Sequence, residues 1–281
     1  MQWEDLQRRL GAALFARVAG PQGPENRARF AAPGPRWFAE DRPIRRVHGD
    51  AAMFVGGLRA LLLQSLHPMA MTAVAQHSDY RRDPWGRLQR TSTFLAGTTF
   101  GPADDAQRAV DAVRRVHTYI TGTGPGGVPY RADDPHLLRW VHVAEADSFL
   151  RCHQRYGAQP LDAAGCDGYV ADAAVIATAL GVPDPPRTVA ELDFALGEYR
   201  PELYAIPAAR EAARFLVWNP PLPLVARGPY ALLAATAVAE LPDWARRELR
   251  LPRAHAAESV LLPPVGRGLV GAVRWAMGAG R

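Results

Sequence analysis

No lysine occurs in this 281-residue chain; all 33 basic side chains are arginine. That composition follows a GC-rich genome, and it removes every lysine chemistry: no Schiff-base amine, no lysine general base, no amine ligand. Cysteine is nearly absent too. Cys152 and Cys166 form no CxxC pair, which excludes a disulfide framework and a cysteine zinc site and suits a reducing cytoplasm. Long apolar runs are missing. The stretch "PYALLAATAVA" (229–239) is about half of the roughly 20 residues a membrane span needs. The first residues lack the basic start and apolar middle of a signal peptide, so the sequence predicts a soluble, cytoplasmic protein without a transmembrane segment. Charge is unblocked as well. The formal net charge of +5 is spread over scattered arginines interleaved with acids, which argues against a nucleic-acid partner. There is no HExxH, P-loop, dinucleotide fingerprint or serine elbow, and no CxxCH for a covalently attached haem.

What the chain does have is helical periodicity. At 48% hydrophobic it can bury one substantial core, so a single domain over 1–281 is the expectation. Helices are predicted over 3–18, 50–66, 68–77, 84–100, 104–121, 134–157 and 162–180. Shorter ones follow at 188–199, 208–217, 229–239, 241–250 and 267–278, separated by prolines. Residues 20–37 read as a Pro/Gly/Arg loop, and "GTGPGGVPYRADD" as a loop or short hairpin. No alternating strand block or repeat interrupts this, and the fold class is mainly α, a single-domain helical globule.

The stretch "GRLQRTSTFLAGTTFG" (86–101) poses the chemical question. At helical spacing Arg87, Arg90, Thr91 and Phe94 share one face, mixing two permanent charges with apolar bulk. Either the arginines reach solvent and pair with Asp79 or Asp83, or they line a polar cavity and hold something anionic or oxygen-rich. The histidines offer ligands. His117 shares a face with Val110, Val113 and Ile120: a hydrogen-bonded core imidazole, or the single neutral ligand that haem iron takes. His142 lies near Leu138 and Phe149 with Glu145 one turn on, so a tie to Glu145 or to a backbone carbonyl stands beside a ligand role. His67 and His77 cap opposite ends of a ten-residue helix, too far apart to share one metal ion, and His67 reads as a helix-junction residue. No paired Glu-x-x-His spacing supports a di-iron bundle.

Three separated segments, 56–101, "VRRVHTYITG" and "YRADDPHLLRWVHVAEADSFLRCHQRYG", resemble the bacterial and fungal family that includes latex clearing protein and the mpaB-type oxygenases. The resemblance is strongest over 45–200. It implies an α-helical fold enclosing a non-covalent b-type haem, with His117 as the proximal iron ligand and Arg87, Arg90 and Thr91 on the distal side. The implied activity is oxidation of a small apolar or isoprenoid-like substrate with dioxygen, with cleavage of a carbon–carbon double bond as the precedent. Two departures stand out. The rubber-cleaving branch has lysine where this chain has Arg90, and a guanidinium keeps its proton and has no lone pair free for iron. That branch also has a glutamate upstream of the arginine, whereas no Asp or Glu lies between Asp50 and Asp79 here. Another haem-dependent reaction, such as hydroxylation, peroxidation or a redox-neutral step, is therefore the alternative. A non-catalytic haem or apolar-ligand binder is a third reading.

Overall fold

The computed structural model describes residues 3–253 and 255–278. In chain order the helices are α1 (Trp3–Ala19), α2 (Gly23–Phe30), α3 (Pro43–His48), α4 (Met53–Gln64), α5 (Pro68–His77), α6 (Pro84–Phe100) and α7 (Ala103–Tyr119). They continue as α8 (Pro135–Tyr156), α9 (Ala163–Leu180), α10 (Val189–Tyr199), α11 (Pro207–Trp218), α12 (Leu224–Ala239), α13 (Asp243–Leu249) and α14 (His255–Ala276). Between α7 and α8 the strands β1 (Thr121–Thr123) and β2 (Pro129–Arg131) form an antiparallel pair, with Gly122 opposite Tyr130.

The starts of these helices are written in the sequence. Asp83, Asp134, Asp162 and Thr188 each accept a hydrogen bond from the first turn, and Pro84 and Pro135 occupy positions where no N–H is needed. Helix α9 stops at Gly181, whose φ of +104° is open to glycine and strained for other residues.

Helices α4 and α8 form the central pair. Gly56 makes their close approach possible: a Cβ there would lie 2.8 Å from the Phe149 ring. Around this pair sit two apolar clusters. One joins Leu62, Leu63, Leu66 and Trp140 to α11, α12 and α13; the other joins Val143, Phe149 and Tyr169 to α3 and α10. Among the described residues α9 alone is long and apolar enough to cross a membrane; it packs against α3, α7, α8 and α10.

Sequence and structure differ where proline was read as punctuation. Helix α12 starts at Leu224 and carries Pro229 within it, and α14 starts at His255 and carries Pro263 and Pro264. The stretch read as a loop contains α2, and the short α3 was also missed.

Candidate functional site

Gly101 and Pro102 turn the chain between α6 and α7, so these two packed helices form a hairpin. Residues equally far from that turn stand level with one another. Arg87, near the start of α6, is therefore level with His117, in the last turn of α7.

Arg87 is half-buried and its Nη1 donates to Ser78 Oγ at 3.0 Å. Among the described residues no carboxylate lies within 4 Å of it. Burial pushes the guanidinium below its usual range; the Tyr80 hydroxyl opposes this and the nearby Arg90 adds to it. Arg90 behaves differently. It is exposed and pairs with Asp83 at 3.3 Å, as the solvent-facing reading expected. Thr91 is also exposed. Phe94, on the same face, packs on the apolar cluster of Phe149 and Tyr169. The spacing thus groups four residues that the fold separates: Arg87 and Phe94 face inward surroundings, whereas Arg90 and Thr91 meet solvent.

His117 is half-buried, and burial lowers its pKa while Asp133 opposes the shift. At neutral pH the ring is neutral. Its nitrogens form no hydrogen bond among the described residues and are not sealed off, so a lone pair is free to ligate. Arg87 and His117 do not bond each other. Beside them the end of α5 is tied to the β hairpin, because Tyr130 donates to Gln76 Oε1 at 2.6 Å and His77 Nε2 stands 3.1 Å from the Thr121 carbonyl.

On α8 the expected tie between His142 and Glu145 is absent, and no backbone carbonyl takes its place. His142 Nε2 is buried without a partner, and desolvation, helped by Arg139, lowers its pKa to about 4. Burial alone raises Glu145 to about 7. Yet both side chains keep accessible surface. Both groups sit in strongly desolvating surroundings on α8. Glu145 was missed as a functional candidate in its own right; an acid between "VHVA" and "ADSFL" in a buried helix was the available signal.

An open cleft of roughly 500 Å³ lies elsewhere, lined among others by Arg59, Asp147, Arg151, Glu240 and Trp244. None of the sequence-expected site residues borders it. Its charges are matched, since Arg59 pairs with Asp147 at 2.7 Å and Arg151 with Asp193 at 2.8 Å. Arg87 and His117 stand apart from this cleft, on the α6–α7 hairpin, and among the described residues neither pairs with a carboxylate. Among the described residues, one group of three could hold a metal ion directly: His67, His136 and Glu202.

The chain is 34% identical over 165 residues to two mycobacterial proteins, the uncharacterized protein Mb2261 of Mycobacterium bovis and the uncharacterized protein Rv2237 of Mycobacterium tuberculosis. The matched region is 55% of this chain and 62% of each relative's length. No solved structure matches at a significant level. The pattern described as "ER-bound oxygenase mpaB/B'/Rubber oxygenase, catalytic domain" matches residues 45–275, and the chain belongs to that oxygenase family.

Proposed function

We propose that this protein is a haem b-dependent oxygenase that oxidises a small apolar or isoprenoid-like substrate with dioxygen. The observation that carries the reading is Arg87, a half-buried guanidinium that among the described residues bonds only a neutral hydroxyl. Leaving such a charge without an anion costs several kcal/mol by general experience with unpaired buried ions. A haem propionate, or an oxygen-rich group bound beside it, supplies what the protein does not.

The other residues fit the same group. Haem iron takes a neutral imidazole with one ring nitrogen free, and His117 offers that nitrogen. Phe94 and Leu95 supply apolar surface on α6. When bound, haem b would supply the redox chemistry for activating dioxygen. The chain's own groups do the rest. His117 holds the iron. Arg87 orients an anionic or oxygen-rich group through charge-assisted hydrogen bonds. Thr91 and Arg90 follow on α6 but are exposed, with Arg90 paired to Asp83, so in this reading they stand at the outer rim and not against the haem. Glu145 holds or releases a proton near neutral pH.

Oxidative cleavage of a carbon–carbon double bond is the first outcome to test. A second reading uses the same residues for another haem-dependent oxidation. It is favoured by the lack of any acid between Asp50 and Asp79. Product analysis separates the two, and absence of turnover with oxygen favours a binding protein. The first experiment is an absorption spectrum after haem supplementation. A Soret band lost in His117→Ala and kept in His142→Ala supports the assignment. No band in the parent protein, or the reverse pattern in the variants, overturns it.

A further inference from the structure

His67 carries an unexplained feature. It is 4% exposed, and among the described residues neither ring nitrogen has a close hydrogen-bond partner; Glu202 Oε2 is the nearest carboxylate oxygen, 3.5 Å from Nε2. A buried imidazole normally satisfies at least its N–H, and leaving the ring unpaired costs about 1–3 kcal/mol. Its position is set by the chain: the backbone turns at His67 to let Pro68 begin α5, which fixes the ring beneath Trp140.

Two further donors converge there. His136 lies in the first turn of α8, and Glu202 ends the single 3-10 turn Arg200–Glu202 that follows α10. Glu202 Oε2 is 2.8 Å from His136 Nε2 and 3.5 Å from His67 Nε2. One ligand atom from each residue lies within 4.8 Å of the others. Two ligands each about 2.1 Å from a tetrahedral ion stand roughly 3.4 Å apart, so small side-chain shifts would close the set on one ion. The His136 ring is held in place from behind, because the Tyr199 hydroxyl donates to the His136 carbonyl at 2.8 Å and packs against the ring. Such support is what ligating histidines require.

We propose that His67, His136 and Glu202 bind a divalent first-row transition cation, with Zn²⁺ as the reference ion. Two imidazoles and one carboxylate are a donor set that such ions accept with positions to spare. His136 and Glu202 are about half exposed, so water can fill the remaining positions and the ion can enter from solvent. The ion would join the α4–α5 junction, the start of α8 and the turn after α10. It uses none of the residues assigned to haem, so either proposal can fail alone.

The test is isothermal titration of the chelator-treated full chain with Zn²⁺, with metal content measured after dialysis and unfolding temperature with and without the ion. His136→Gln and Glu202→Gln change half-exposed side chains, and circular dichroism checks that each variant stays folded. The expected result is one bound Zn²⁺ per chain and a raised unfolding temperature. Each variant should weaken binding by at least about 100-fold, since even outer-shell partners cost 10–100-fold. His77→Gln should leave both unchanged. No binding by the parent protein overturns the site, as does unchanged binding in folded His136→Gln and Glu202→Gln.

Discussion

Helix α8 handles buried polar groups in two opposite ways. Asp147 is buried, faces Arg59 Nη1 at 2.7 Å and also pairs with Arg151. Arg59, itself 1% exposed, further donates to the Glu240 carbonyl at 2.8 Å and to Ser148 Oγ at 2.6 Å. Two residues earlier on the chain, and roughly 200° round the helix, Glu145 has no such partner. His142, on nearly the same side as Glu145, has an orphaned ring nitrogen. The difference teaches what each side is for. Where the protein needs only to fold, it neutralises each charge with its own residues. On the other side Glu145 and His142 keep polar atoms that no described residue matches.

The largest effect should come from breaking the matched side. Asp147→Asn leaves the Arg59 guanidinium buried without a counter-charge, at a cost of about 3–5 kcal/mol. Denaturant unfolding of the variant measures this directly. The double variant Arg59→Met/Asp147→Leu should recover most of the loss, because it removes both charges and keeps the volume. A double variant as unstable as the single one would mean that shape, not charge, sets the value of this contact.

The unmatched side should show itself through pH. Glu145 has its folded pKa raised to about 7, so its contribution to stability is fully present below about pH 4.5 and is lost as pH rises toward 7. His142 has its folded pKa lowered to about 4; its contribution is fully present above about pH 6.5 and is lost as pH falls toward 4. The two slopes oppose each other between about pH 4.5 and 6.5. Relative to the parent protein, Glu145→Gln should become more stable as pH rises through that window, and His142→Gln should become less stable. Each difference should be on the order of 2–3 kcal/mol at full extent. Chemical unfolding at several pH values checks it. Parallel curves for all three proteins would show that neither group is desolvated in solution.

Much of this architecture was legible in sequence. Caps such as Asp83 and Asp134, followed by proline, marked helix starts that the structure reproduces. The hairpin of β1 and β2 lies within the glycine-rich stretch read as a loop or short hairpin. Reading failed where one local signal had two uses. Pro229, Pro263 and Pro264 were treated as breaks, yet they sit inside helices that tertiary packing holds together. Among candidate residues, periodicity placed Arg87, Arg90 and Thr91 on one face but could not say how far inward each reached. That depends on neighbours far along the chain. The same limit hid the group of His67, His136 and Glu202: consecutive members are 69 and 66 positions apart, and no spacing within one helix brings them together.

The smallest expected effect sharpens the comparison on α6. Arg87 and Arg90 differ by three positions, yet one is enclosed and the other meets solvent. Arg90 pairs with Asp83, and both side chains are more than half exposed. Pairs of this kind contribute between nothing and about 1 kcal/mol, and salt screens them further. Arg90→Ala should therefore change unfolding free energy by no more than about 0.5 kcal/mol, and less in high salt. Asp83→Ala should cost more, about 1 kcal/mol, because Asp83 also accepts the Gly86 amide at 2.8 Å and caps the helix. The difference between those variants isolates the cap from the ion pair. If Arg90→Ala instead costs as much as losing a buried charge, Arg90 is engaged as deeply as Arg87, and both arginines belong to the enclosed face.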